Sequence, residues 1–163
     1  GLSEPPDILM GTMSKALASE GGFVCGRQLL IDYLRNAARS FIFSTSLAPA
    51  VLGAAQAALA IIEEEPEHVA RLQENTRCFC QALRDGGIDA SSASAIVPII
   101  IGDEDRAMKV AQRLYEDGIF LSAIRYPTVA RGSARLRAAL MATHTEDELK
   151  EAAEKIARAI REA

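Results

Sequence analysis

Gly11-Thr-Met-Ser-Lys-Ala-Leu-Ala-Ser-Glu-Gly-Gly22 is the stretch on which the reading of the chain turns. Lys15 stands between an apolar run, Ile8-Leu-Met10, and a glycine-rich exit at Gly21 and Gly22. Thr12 lies three residues before it and Ser14 immediately before it. The apolar run ahead of a glycine predicts a buried strand over 7–10. A lysine that ends such a strand loses hydration, and a desolvated amine is more readily deprotonated and so more nucleophilic. Hydroxyls and free backbone amides at the same turn can hold an anion such as a phosphate. Together these features fit a Schiff-base lysine beside a phosphorylated aldehyde cofactor. A lysine at a strand end is more often an ordinary surface residue, so this short stretch needs support from the rest of the chain.

Outward from that stretch, 163 residues suffice for one domain or two small ones with a real core. A net charge of −4, with acids and bases interspersed, argues against a nucleic-acid binder. No N-terminal segment has the pattern of an export signal. The longest low-polarity run, 47–62, is interrupted by Gln56 and falls short of the roughly 20 residues that span a bilayer. Cys25, Cys78 and Cys80 are an odd number of cysteines. Cys78 and Cys80 point apart on a predicted helix, so reduced thiols are expected.

The predicted elements follow in order. Phe23-Val-Cys25 between glycines is a second strand, and 28–39 is an amphipathic helix. Phe41-Ile-Phe43 reads as a short extended piece leading to Ser44-Thr-Ser46. Pro49 opens an alanine-rich helix that runs to Glu63 or Glu64 and stops at Pro66. It is apolar nearly all round, which predicts burial on several sides. Val69, Leu72, Thr76, Phe79 and Leu83 put one face of the next helix on a core, and Asp85-Gly-Gly87 ends it. Strands are predicted over 95–101, 119–124 and 136–140. Between the first two lies a helix with the stripe Ala107, Val110, Ala111 and Leu114, which starts at Asp103 and ends at Gly118. Thr145 and Glu148 have capping-box spacing, and Leu149, Ala152, Ala153, Ile156, Ala157 and Ile160 form the apolar face behind them. His68 reads as solvated, and His144 as a local cap or core hydrogen bond.

Thr12-Met-Ser-Lys15, Phe43-Ser-Thr-Ser46, Ser94-Ala-Ile96, Ala123-Ile-Arg125 and Ala134-Arg-Leu-Arg137 resemble, almost end to end, the α-oxoamine synthases. These are class II aminotransferase-like enzymes that use pyridoxal 5'-phosphate. The resemblance implies an α/β fold, the C-terminal part of a fold-type-I pyridoxal-phosphate transferase. Residues 1–48 would end the large cofactor domain, 49–65 would form a linking helix, and 66–163 a small C-terminal α/β domain with a small antiparallel sheet. It implies an acyltransferase that joins an amino acid to an acyl thioester with loss of carbon dioxide. Lys15 would hold the cofactor and move the α-proton, and Thr12 would bind its phosphate. Ser44 and Thr45 would reach the phosphate of a neighbouring subunit's cofactor, which makes the expected assembly a homodimer with a shared active site. Arg137 would bind the amino-acid carboxylate, with Arg125 and Thr128 near the acyl end.

Within the family, the biotin-pathway members, which use L-alanine and a pimeloyl thioester, resemble the chain most. Members that use glycine or serine are the alternative, and a non-catalytic C-terminal piece with a packing or dimer role is another. Small-molecule substrates, no metal, no nucleic acid, no membrane and a cytoplasmic location complete the expectation. Two departures from the family pattern fall in one loop: Tyr126 stands where a proline is usual, and Ala130-Arg131 replaces a proline-containing turn. The family's partner for the pyridine nitrogen and its ring-stacking aromatic lie before the lysine segment. The chain is therefore expected to be the C-terminal part of a longer enzyme, and this part alone is expected to be inactive.

Overall fold

The computed structural model describes residues 3–163. Two compact units divide where Pro66 follows the end of a helix, one running up to Pro66 and the other Glu67–Ala163.

In the first unit, β1 (Ile8–Thr12) and β2 (Gly22–Gly26) form an antiparallel hairpin. Gly11 faces Phe23, and Thr12 faces Gly22. A Cβ on Gly11 would lie 2.6 Å from Phe23 Cζ, so the missing side chain is what lets the ring lie across the strand. Helices α1 (Gln28–Ala37), α2 (Arg39–Ile42) and α3 (Pro49–Glu64) follow. Two expectations fail here. Phe41-Ile-Phe43 is not extended: Phe41 and Ile42 donate their amides to the Ala38 carbonyl and wind a short helix. Aromatic and β-branched residues favour strands only where a partner strand offers a pleated surface, and none lies beside them. The burial predicted for 7–10 and for the alanine-rich helix is also absent. Ile8, Leu9 and Met10 are exposed, and of α3 only Ala55 is buried. A two-stranded sheet gives each strand one neighbour and covers neither face by itself.

The second unit holds α4 (Glu67–Asp85), β3 (Ile96–Gly102), α5 (Glu104–Glu116), β4 (Ser122–Ile124), β5 (Ala134–Ala139) and α6 (Glu146–Glu162). Its sheet has the order β3-β5-β4, antiparallel throughout. Val97 and Ile99 of β3 and Leu136 and Ala138 of β5 are buried, with Phe79, Leu83, Val110, Leu114 and Ile156 from the helices. The strand residues between them face the other way, as the period of two requires. The predicted strand 119–124 shortens to Ser122–Ile124, because Ile119 N–H turns back to the Leu114 carbonyl. Gly118, at φ 83°, takes the left-handed conformation that makes this return possible. The predicted strand 136–140 begins earlier, at Ala134.

The helix ends form as their residues suggest. Asp103 Oδ1 accepts from Arg106 N at 2.8 Å. Thr145 and Glu148 close a full capping box, with Thr145 N donating to Glu148 Oε2 at 2.8 Å. His144 Nδ1 accepts from Met141 N, and Asn75 Nδ2 donates to the carbonyls of both residues, a local structural role. All three cysteines are free thiols. Burial pushes the pKa of the Cys78 and Cys80 thiols up, which keeps them protonated and weakly nucleophilic. Among the described residues, no helix is long and apolar enough to cross a membrane.

Candidate active site

Residues 13–21 join β1 to β2 and carry Lys15 at their tip. The loop is closed at its base, where Met13 N donates to Gly21 O at 3.0 Å and Ser19 N to Met13 O at 2.9 Å. Ala18 N donates to Lys15 O at 3.0 Å, forming a turn in which Ala18 sits at φ 47°. Met13 and Leu17, both buried, are the two anchors. They pack with Ala55 of α3 and with Leu47 and Ala58. Ser19 Oγ adds a 2.6 Å hydrogen bond to the Val51 carbonyl of the same helix. Lys15 lies between the two anchors and is exposed, and its amine has no hydrogen bond or ion pair among the described residues. The desolvation expected of a lysine at a buried strand end is therefore not present. The loop supplies a fixed point of attachment and an unpaired amine instead.

Thr12 sits beside this turn. Its hydroxyl is 2.7 Å from Ser14 Oγ, accepts from Ser14 N at 3.2 Å, and lies 3.3 Å from Gly21 O. Gly22, opposite Thr12, is fixed by sterics, because a Cβ there would lie 2.8 Å from the Gly11 carbonyl oxygen. Ser44 and Thr45 follow α2 on an exposed stretch. The local alternative for them, an ST-turn or a cap on the next helix, is not formed. The α3 N-cap is Ala48, and neither hydroxyl makes a hydrogen bond among the described residues.

In the second unit, Arg135 and Arg137 share the sheet face that the helices leave open. Arg137 lies opposite Pro98 on β3 and Ser122 on β4, and Arg135 opposite Ile100 and Ile124. The period of two makes the pair look alike, but their surroundings differ. Arg135 Nε donates to the Ser133 carbonyl at 3.0 Å and is half-buried. Arg137 is exposed and has no partner among the described residues. Arg125 follows β4, and its Nη1 lies 3.1 Å from Met108 Sδ, with no carboxylate partner among the described residues. Its carbonyl accepts from Thr128 N at 3.0 Å, so Arg125 and Thr128 belong to one tight turn. Each unit thus presents its predicted residues on an exposed surface, and Lys15, Ser44, Thr45 and Arg137 have side chains without a partner among the described residues.

Residues 1–156 match the family described as aminotransferase class I and II. The chain belongs to this family. Among aminotransferase class I and II relatives, the 8-amino-7-oxononanoate synthase of Symbiobacterium thermophilum is 44% identical over 163 residues, which are 99% of this chain and 42% of the relative. The serine palmitoyltransferase of Sphingobacterium spiritivorum is 42% identical over 164 residues, 100% of this chain and 41% of the relative. A solved serine palmitoyltransferase from S. paucimobilis with a bound PLP–myriocin aldimine superposes with a TM-score of 0.87 at 27% identity, covering 96% of this chain and 40% of that one. The fold is therefore that of the fold-type-I enzymes. The chain spans about two-fifths of the length of the relatives it matches.

Three features of this aminotransferase-family chain escape sequence reasoning. One is the hydrogen bond that joins the Thr12 and Ser14 hydroxyls, for which the spacing of two is a usable signal. Another is Ser133, whose contribution is a carbonyl and so carries no side-chain signature. The third is the contact of Arg131 with Tyr126, where the Arg131 guanidinium carbon lies 4.3 Å from the ring centroid.

Proposed function

We propose that the chain is the C-terminal part of a pyridoxal-phosphate-dependent acyltransferase that condenses L-alanine with a pimeloyl thioester. The products are 8-amino-7-oxononanoate, carbon dioxide and the free thiol carrier. The observation that carries this is the end-to-end likeness to an 8-amino-7-oxononanoate synthase, combined with an anchored turn that presents the unpaired amine of Lys15.

The residues present suit the cofactor. An amine with no competing acid can bond to its aldehyde, and the exposed hydroxyls of Thr12 and Ser14 suit a phosphate. When bound, pyridoxal phosphate supplies an electron sink for negative charge developed at the amino-acid α-carbon. In this reading Lys15 anchors the cofactor, is released when the amino acid arrives, and takes the α-proton on Nζ. Met13 and Leu17 fix where that nitrogen can reach. Thr12 steadies the phosphate, and Ser44 and Thr45 serve the phosphate of a second subunit in a homodimer. Arg137, unpaired among the described residues at an exposed strand position, holds the amino-acid carboxylate that leaves as carbon dioxide, and its planar fork suits that group. Arg125 and Thr128 serve the acyl donor. The domain organisation is residues 1–48 in the cofactor domain, 49–65 linking, and 66–163 in the small domain, and the location is the cytoplasm.

A serine- or glycine-using relative is the second reading, favoured by the 42% identity to a serine palmitoyltransferase. Assay of the full-length protein with L-alanine, glycine and L-serine against acyl thioesters separates the two, following thiol release. Turnover with L-alanine and pimeloyl donor is expected; turnover with glycine or serine alone overturns the choice. Borohydride reduction followed by peptide mapping is expected to leave the pyridoxyl group on Lys15. A label elsewhere, or none, sinks the assignment of the lysine.

A further inference from the structure

From Gly118 to Thr145 the sequence contains Arg125, Arg131, Arg135 and Arg137 and neither aspartate nor glutamate, in a chain where acids outnumber bases by 22 to 18. The nearest acid before this stretch, Asp117, is engaged by Arg158 at 3.2 Å. Arg131 lies between β4 and β5 with its guanidinium over the Tyr126 ring and no carboxylate among the described residues. A guanidinium stacked on an aromatic face at this distance keeps its hydrogen-bond donors free while losing much of its rotamer freedom. Tyr126 also borders an open groove with Met108, Tyr115, Phe120, Arg125 and Thr128, and no acidic side chain lines that groove. An open groove lined by Met108, Phe120 and Leu121 as well as polar groups, with an ordered, uncompensated cation beside it, suits an acyl chain that ends in an anion.

We infer that Arg131, held against Tyr126, is a specificity-determining residue that binds the anionic end of the acyl donor. This rests on the acyltransferase reading above. The groove favours the chain-end carboxylate of a dicarboxylic monothioester; a phosphate of the thiol carrier shares the same chemistry. Tyr126 is a positioning residue, acting through Arg131.

The test uses the full-length protein with bound pyridoxal phosphate. Three donors are compared, pimeloyl-CoA, its chain-end methyl ester, and pimeloyl-pantetheine. Calorimetry gives Kd without amino acid, and steady-state assays give KM. Losing one charge-assisted hydrogen bond is expected to weaken pimeloyl-CoA about tenfold in Arg131→Ala, with partial rescue in Arg131→Lys. The methyl ester is expected to change less than twofold. Tyr126→Phe should keep the wild-type preference, and Tyr126→Leu should follow Arg131→Ala. If the ester weakens equally but the pantetheine thioester does not, the anion is the carrier phosphate and the inference stands. Equal weakening of all three donors, or of none, overturns it. A wild-type protein that binds the donors in an Arg131-dependent way yet turns none over defeats the acyltransferase reading and not this one.

Discussion

Gly22 and Gly53 separate two reasons for a glycine in one unit. A Cβ at Gly22 would press on a backbone oxygen across the hairpin, at 2.8 Å, and backbone cannot swing aside. Gly22→Ala is therefore expected to destabilise the hairpin under Lys15 by about 1–3 kcal/mol. Gly53 lies inside α3 with nothing within 4 Å of its Cβ position. There the added methyl only removes backbone entropy from the unfolded chain, so Gly53→Ala is expected to stabilise by about 0.5–1 kcal/mol. Urea titration of both variants of the full-length protein checks the opposite signs. At this scale the sequence was partly legible. Lys15 stood out through its neighbours, but its exposure did not, because burial depends on what covers a strand and not on the strand's own composition. Arg135 and Arg137 were indistinguishable by spacing alone. A backbone carbonyl from Ser133 tells them apart, and carbonyls are present at every position.

Local hydrogen-bond chemistry is the part of an element that sequence declares most openly, and α6 is the clearest case here. Its capping box needs only Thr145, Glu148 and their spacing, so the prediction and the geometry coincide. By contrast α2 was misread, since Phe-Ile-Phe favours a strand only where a neighbouring strand exists. Thr145→Ala is expected to cost about 1 kcal/mol. The cap is also pH-dependent. Hydrogen bonds from the Thr145 amide and hydroxyl hold the Glu148 carboxyl below its ordinary range. A carboxyl depressed in the folded state contributes stability above its unfolded value, about 4.3, and that contribution is lost as pH falls through the lower folded value. The stability gap between wild type and Glu148→Gln should therefore narrow progressively below about pH 4.3. Thermal unfolding followed from neutral to acid pH gives the sign. A gap that widens in acid contradicts the role given to the carboxylate.

Across the whole molecule the two units differ in how much they bury. Leu83, Val97, Ile99, Leu114, Leu136 and Ile156 are fully enclosed within Glu67–Ala163. Among the described residues of the unit up to Pro66, only Met13, Leu17 and Ala55 form an enclosed cluster. The alternating strand and helix patterns of the second unit were legible because each element turns one apolar face onto a shared core, so its period shows in the sequence. The strands of the first unit and its helices α1 and α3 were legible as elements, yet the unit's apolar surfaces, from Ile8 to Phe43, are left uncovered by the described residues. Hydrophobic burial has to offset chain entropy, so the two units should differ in stability when the chain of 163 residues stands alone. Hydrogen exchange is expected to show slow amides in β3, β5, α5 and α6, and fast ones in β1, β2 and α3. Leu136→Ala should then lower the stability of the protected unit by about 2–5 kcal/mol while leaving exchange in the first unit unchanged. Equal protection in both units would mean that the Met13–Leu17–Ala55 cluster stabilises far more than its size allows.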